Sequence, residues 1–132
     1  MLFKQDEDKA MVSLGVGKNM FRSAKFWSEA AQIVDETDDG HAVTKFGIRL
    51  LGHDGHDPFL ELPETLWLLH WKIATNPLRP LFHWRQMLNF WHRAEFSESE
   101  AIAFLERGIP PEQATRSKRT LGDGFRVFVN SY

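Results

Sequence analysis

The chain has 132 residues, a length suited to one small domain with a single hydrophobic core. Apolar residues make up 42% and charged residues 26%, which excludes a disordered or fibrous protein. With 16 Lys and Arg against 18 Asp and Glu, the net charge is -2, so any binding to nucleic acid must come from a local patch. The absence of cysteine excludes disulfides and thiolate metal sites.

The sequence contains no pattern typical of membrane insertion or export. Its apolar runs, such as Leu66 to Leu69, are far shorter than the roughly 20 residues that a bilayer-spanning helix needs. Residues 1–8 read MLFKQDED, whereas a signal peptide begins with cationic residues and continues with apolar ones. We therefore expect a cytoplasmic protein with no membrane partner.

A short helix and a glycine turn are predicted near the N-terminus. Residues 6–14 place Ala10 and Leu14 on one side of a helix, and Gly15-Val16-Gly17 ends it. The turn continues as Lys18-Asn19, but a phosphate-binding P-loop needs Ser or Thr after the lysine. We therefore interpret the glycines as a turn between two helices.

A longer helix is predicted over residues 17–34. Four apolar residues recur along it at offsets of four, three and four: Met20, Ala24, Trp27 and Ala31. This spacing is typical of a buried helical stripe. Four charged residues follow the same rhythm almost opposite: Lys18, Arg22, Lys25 and Glu29. We expect the helix to bury the apolar stripe and to expose three cations in a row.

An acidic β-hairpin and a third helix are predicted next. Residues 32–34 lead into an acidic stretch that ends in Asp39-Gly40, a pair that favours a tight turn. Residues 41–43 are the candidate return strand. Thr44 is expected to cap a helix that holds Phe46 and Leu50.

This order of elements is that of a winged helix-turn-helix, whose second helix enters the major groove of DNA. In this interpretation Arg22 contacts a base edge or a phosphate, and Lys18 and Lys25 contact the phosphate backbone. Asn19, at the start of the helix, is expected to bind a phosphate oxygen. The alternative is that the cations form only a solvated face. Four acids on the hairpin argue against its contact with phosphates: Asp35, Glu36, Asp38 and Asp39.

A polar loop at residues 52–58 contains side chains that can bind a divalent metal. His53, His56 and Asp57 are possible ligands, but they lie on one loop with no evident orienting partners. We expect that Asp57 caps the following helical segment, that the loop binds no metal and that the protein uses no cofactor. Metal-dependent hydrolysis at these three residues is kept as a further hypothesis.

Residues 57–132 are predicted to be helical and rich in aromatic side chains. The segment 63–75 is apolar nearly all round, which predicts a central buried helix with His70 as a core histidine. A helix from Leu81 to about Arg93 carries Trp and Leu at core spacing, and its arginines also resemble a stacking platform for single strands.

Two more helices are predicted at the C-terminal end. Ser97 and Glu100 form a capping box that starts a helix, and Gly108 ends it. A last helix over residues 117–132 carries an apolar stripe of Leu121, Phe125, Phe128 and Tyr132. With Arg116, Lys118 and Arg119 at its start, this pair has the form of a second helix-turn-helix.

Several segments of the sequence resemble the bacterial family known as domain of unknown function 4007. These are LGVGKNM at 14–20, RS at 22–23, FW at 26–27, DPFLE at 57–61 and TLWLLHW at 65–71. The resemblance implies a link to DNA phosphorothioation and phage-defence gene clusters, and it supplies no catalytic residue. Typical members carry a further aromatic and Arg-rich segment before the residues that start here at Met1. We therefore expect a partner or a second copy of the chain to cover exposed core.

The sequence thus predicts a mainly α protein. A winged helix-turn-helix-like part with a small β-hairpin is expected at residues 1–56, and a Trp-rich helical part that shares its core at 57–132. The predicted function is a non-enzymatic accessory subunit that binds double-stranded DNA through Lys18, Asn19, Arg22 and Lys25. The alternative is an assembly module that binds other defence-system proteins or forms a homo-oligomer without direct DNA contact.

Overall fold

A computed structural model describes residues 7–38, 40–111 and 117–132. The described residues are mainly helical with one small antiparallel hairpin, as predicted. The chain divides into two compact units between Arg79 and Pro80, whereas the sequence placed the division at residues 56 and 57. The helix at 63–75 belongs to the first unit because Lys72, near its end, donates a hydrogen bond of 3.1 Å to Gln32. No described helix has the length and apolar character that crossing a membrane requires.

The first unit follows the predicted order of elements. These are α1 (Glu7–Leu14), α2 (Lys18–Ala30), β1 (Val34–Thr37), β2 (Gly40–Val43), α3 (Lys45–Leu51) and α4 (Pro63–Thr75). Val34 pairs with Val43 across the antiparallel hairpin. The predicted cap is confirmed, since Thr44 Oγ1 accepts a hydrogen bond of 2.9 Å from the Gly47 amide. Asp6 and Asp39 lie outside the described residues.

Helix α2 buries a different face from the one predicted. Phe21, Glu29 and Ala30 are its buried residues, while Met20 and Ala24 of the expected stripe are exposed. Ala31, just after the helix, is buried as expected. The prediction failed because apolar side chains occur around most of this helix, so spacing does not select one face.

Helix α4 begins and ends where predicted, but it is not a buried central helix. Trp67 is 69% exposed and Trp71 is 58% exposed, while Thr65 and Ala74 are its buried residues. His70 is half-buried and packs edge-on against Trp67 at 5.5 Å, and this partial burial lowers the pKa of its imidazole. The helix therefore presents a large apolar surface in place of a core.

The second unit contains helices α5 (Phe82–Asn89), α6 (Glu98–Arg107) and α7 (Lys118–Asn130). Leu105 of α6 and Leu121 of α7 are almost fully buried, and Phe125 and Phe128 are buried as predicted. Tyr132, the last residue of the predicted stripe, is instead exposed and follows the end of α7. The capping box of Ser97 and Glu100 is confirmed. Arg116 of the predicted basic start lies outside the described residues.

Helix α5 is shorter than predicted. It ends at Asn89 because Phe90 leaves helical backbone geometry. Trp91 then packs edge-on against Phe104 at 5.1 Å and Phe96 at 6.0 Å. Trp84 is buried as expected and donates a hydrogen bond of 3.0 Å to the Tyr132 hydroxyl. The aromatic residues of this segment are thus divided between the core of the second unit and its surface.

Candidate nucleic-acid interface

The four residues predicted to contact DNA lie in the first two turns of α2. Lys18, Asn19 and Arg22 are exposed, and Lys25 is half-buried. Within the described part of the chain, none of the three cations forms an ion pair. Their charges are therefore available to an anionic partner, with Lys25 less accessible than expected.

The start of α2 adds backbone donors to these side chains. Gly17 is the N-cap, and it has no side chain that could accept from the amides of the first turn. The first amides of a helix lack intrahelical acceptors, and the helix dipole gives this end partial positive charge. An exposed helix start beside Lys18 and Arg22 can thus bind a phosphate oxygen.

Glu29, expected on the same outer face, is instead buried in the last turn of α2. It is only 6% exposed, and two basic groups bind its carboxylate. His41 Nε2 of β2 lies 2.7 Å from Oε1, and Arg79 Nη1 lies 2.7 Å from Oε2. Arg79 also pairs with Glu36 of β1. A carboxylate can be buried here because a basic group lies beside each of its oxygens.

The Asn76 side chain forms hydrogen bonds with the C-terminal end of α2. Its Nδ2 donates hydrogen bonds to the backbone carbonyls of Glu29 at 3.3 Å and of Ala30 at 2.9 Å. Its Oδ1 accepts hydrogen bonds of 3.0 Å from the amides of Leu78 and Arg79, which fixes the segment that carries the Arg79 guanidinium. Sequence reasoning missed Asn76 and Arg79 because both follow α2 by more than 40 residues, and no local pattern connects them.

The ion pair between Arg79 and Glu36 changes the charge of the hairpin. Glu36 is paired with Arg79, while Asp35 and Asp38 stay exposed and Asp39 lies outside the described residues. Fewer uncompensated acids therefore stand on the hairpin than the sequence indicated. Repulsion of DNA phosphates by the hairpin is reduced, not removed.

In the polar loop, Asp57 caps the segment that leads into α4, as predicted. Oδ1 accepts from the Glu61 amide at 2.9 Å, and Oδ2 accepts from the Leu62 amide at 3.0 Å. Burial raises the pKa of Asp57, but these hydrogen bonds together outweigh it and hold the pKa below its usual value. The carboxylate therefore has a structural role before α4.

We expect Asp57→Asn to destabilise the first unit at neutral pH, because an amide offers one acceptor oxygen where the carboxylate offers two. A carboxylate with a lowered folded-state pKa stabilises the fold above its unfolded value of about 3.9, and this contribution disappears as the pH falls through the folded value. Urea unfolding at pH 7 and pH 3 measures the effect. The difference in free energy of unfolding between the variant and the parent should be smaller at pH 3 than at pH 7. An equal difference at both pH values would contradict the role of the charge.

Comparison with known proteins places these features in a family. The family model described as Protein of unknown function (DUF4007) matches residues 1–132. The structure is similar to a crystal structure of SspB, with a TM-score of 0.81 and 26% sequence identity. The match covers 95% of this chain and 40% of the SspB chain. A magnesium ion-bound SspB structure matches with the same identity and coverage and a TM-score of 0.77. The chain thus spans less than half the length of SspB. No curated protein matches it.

The described residues contain no cluster of three metal-binding side chains. Among residues 7–38, 40–111 and 117–132, no group of three or more His, Asp or Glu side chains is arranged to hold a metal ion. In the polar loop, both oxygens of Asp57 accept backbone hydrogen bonds. The absence of metal at His53, His56 and Asp57 in solution stays a prediction.

Proposed function

Because this chain belongs to the DUF4007 family, we propose that it is a DNA-binding accessory subunit of a bacterial DNA-modification defence system, with no catalytic role of its own. The structural likeness to SspB supports the accessory role, and so does the link to phosphorothioation gene clusters that the resemblance to the family implies. The main support for DNA contact comes from the start of α2. There, Lys18 and Arg22 are exposed and have no ion-pair partner among the described residues.

The geometry favours contact with the phosphate backbone. Lys18 and Arg22 lie one helical turn apart beside the uncapped amides of the first turn, so several donors face a single patch of solvent. Lys25, one further turn along, adds charge from a half-buried position. Arg22 can also contact a guanine edge with two parallel hydrogen bonds, which would add sequence preference.

The test is duplex DNA binding by fluorescence anisotropy over a series of salt concentrations. We expect Lys18→Ala and Lys25→Ala to weaken binding about equally on all sequences, each lowering the salt slope by roughly one unit. Arg22→Ala should cost roughly 1–3 kcal/mol and relax any sequence preference if it contacts a base edge. Asp38→Asn should strengthen binding without changing preference, because it removes only repulsion.

The matched control is Arg49→Ala, which removes an exposed cation from α3. It should leave duplex binding unchanged. If the triple variant of Lys18, Arg22 and Lys25 binds duplex as tightly as the parent, the proposal is wrong.

The exposed apolar side of α4 favours a second candidate function. Trp67 and Trp71 expose far more apolar surface than an isolated surface residue, and such patches commonly form protein contacts. This candidate is an assembly module that binds other defence-system proteins or a second copy of the chain. It predicts no duplex binding even at low salt, so the same titration separates the two functions.

A further inference from the structure

The second unit contains a pocket of about 350 Å³ between the segment after α5 and helix α6. Aromatic rings and guanidinium groups line it together, and we call it the aromatic-arginine pocket. Phe90, Trp91, Arg93, Phe104 and Arg107 line it, together with one carboxylate, that of Glu100. All of them belong to the second unit, whereas α2 belongs to the first.

The two arginines of the pocket are available to an anion. The Arg93 side chain is 71% exposed and lies over the Trp91 ring at 5.9 Å. Its one ion pair among the described residues, with Glu100, is long at 3.4 Å and lies at the surface, where such pairs are weak. Arg107 is exposed and forms no ion pair within the described part of the chain. An incoming phosphate therefore displaces little to bind both groups.

The aromatic rings that line the pocket are only partly buried in the core of the second unit. Phe90 is about half-exposed, and Trp91 is half-buried against Phe104. The Trp91 Nε1 donor is shielded from solvent and has no acceptor among the described residues. A buried donor without an acceptor is uncommon and costly. Because Trp91 lines the pocket, an oxygen of a bound ligand is a candidate acceptor for this donor.

We propose that the aromatic-arginine pocket binds an unpaired nucleotide, with its base against the exposed rings and its phosphate at Arg93 and Arg107. Bases stack on aromatic rings irrespective of sequence, and guanidinium groups bind phosphate oxygens through paired hydrogen bonds. A simple anion leaves the rings unused, and an apolar ligand leaves the charges unused. The proposal goes beyond duplex binding by α2, because it concerns another unit and an unstacked base. The nucleotide comes either from a single strand or from free solution.

The test uses the full chain and a fluorescein-labelled oligo-dT of about ten nucleotides, within the span that single-strand sites cover. Anisotropy at low salt measures its affinity. We expect Arg93→Gln and Arg107→Gln each to weaken binding by about tenfold, since each removes charge-assisted hydrogen bonds. Trp91→Phe should weaken binding by about fivefold, because it removes the donor and keeps a ring. Arg49→Gln, an exposed cation of α3 outside the pocket, is the control and should bind as the parent does.

Thermal unfolding separates binding from folding. Trp91→Phe should unfold close to the temperature of the parent, because removing an unsatisfied buried donor offsets the ring packing that is lost against Phe104 and Phe96. A variant that lost strand binding only through misfolding would unfold earlier. If all three pocket variants keep parental affinity for the strand, the pocket is not the site.

Competition identifies the source of the nucleotide. Displacement of the strand by dTMP at similar nucleotide concentration indicates a free nucleotide, and its failure indicates a strand; either result supports the pocket. Displacement by inorganic phosphate as effective as that by dTMP would overturn the proposal, because the base would then contribute nothing. The triple variant of Lys18, Arg22 and Lys25 should keep strand binding even if duplex binding is lost, so failure of one proposal is distinguishable from failure of the other.

Discussion

Replacing Arg79 by Ala should destabilise the first unit by about 2 kcal/mol, less than the loss of one partner from a fully buried ion pair costs, because the Arg79 side chain is itself 46% exposed. The variant leaves Glu29, 6% exposed, with His41 as its remaining partner at 2.7 Å. It also frees Glu36 on the hairpin. Hydrogen-deuterium exchange of the β1 and β2 amides measures the loss of stability. These amides report on the first unit separately from α6 and α7.

Two further variants show whether the buried charge is the cause. Glu36→Gln removes only the exposed partner of Arg79, so it should cost less than about 1 kcal/mol. Adding Glu29→Gln to Arg79→Ala removes the buried charge, and the double variant should be more stable than Arg79→Ala itself. If the double variant is instead the less stable of the two, the Glu29 charge is not what Arg79 neutralises.

Replacing Gly47 by Ala should destabilise the same unit by about 1–3 kcal/mol, as overpacking of a tight contact does. A methyl group built on Gly47 would lie 2.5 Å from the carbonyl oxygen of Ile33 and 2.9 Å from Val43 Cγ1. The Ile33 carbonyl also accepts a hydrogen bond of 2.9 Å from the Thr44 amide, so it cannot move away without loss. Urea unfolding measures the change.

Gly122→Ala is the matched control for this prediction. Gly122 also lies within a helix, but an added methyl group would meet only Ile102 Cδ1 at 3.5 Å, an ordinary contact. It should stabilise the protein by up to about 1 kcal/mol, because Ala favours helix over Gly. If Gly47→Ala also stabilised the protein, α3 would not approach the Ile33 carbonyl as closely as described.

The attachment of the hairpin to α2 bears on the proposed DNA interface. Glu29 occupies the last turn of the helix whose first two turns carry Lys18 and Arg22. Through His41 and Arg79, the buried carboxylate ties the hairpin to the C-terminal end of that helix, which leaves the N-terminal end free for a ligand. The polar network and the exposed cations thus occupy opposite ends of one element.

Local signals in the sequence determined where most elements begin and end. Thr44 and Ser97 were identified as helix caps, and both accept the expected amide hydrogen bonds. Gly15, at the end of α1, adopts a positive φ of 64°, which glycine allows at little cost. These features depend on residues within four positions of each other, so a single sequence contains all of the information.

Tertiary structure alone decided which helix faces are buried and which charges are paired. Met20 was predicted to be buried and is exposed, while Glu29 was predicted to be exposed and is buried. The burial of Glu29 depends on Arg79, fifty positions away by residue number, because a carboxylate leaves water only where donors replace its hydration. Trp67 likewise stays exposed, since its hydrophobicity favours burial but cannot specify a neighbour to cover it.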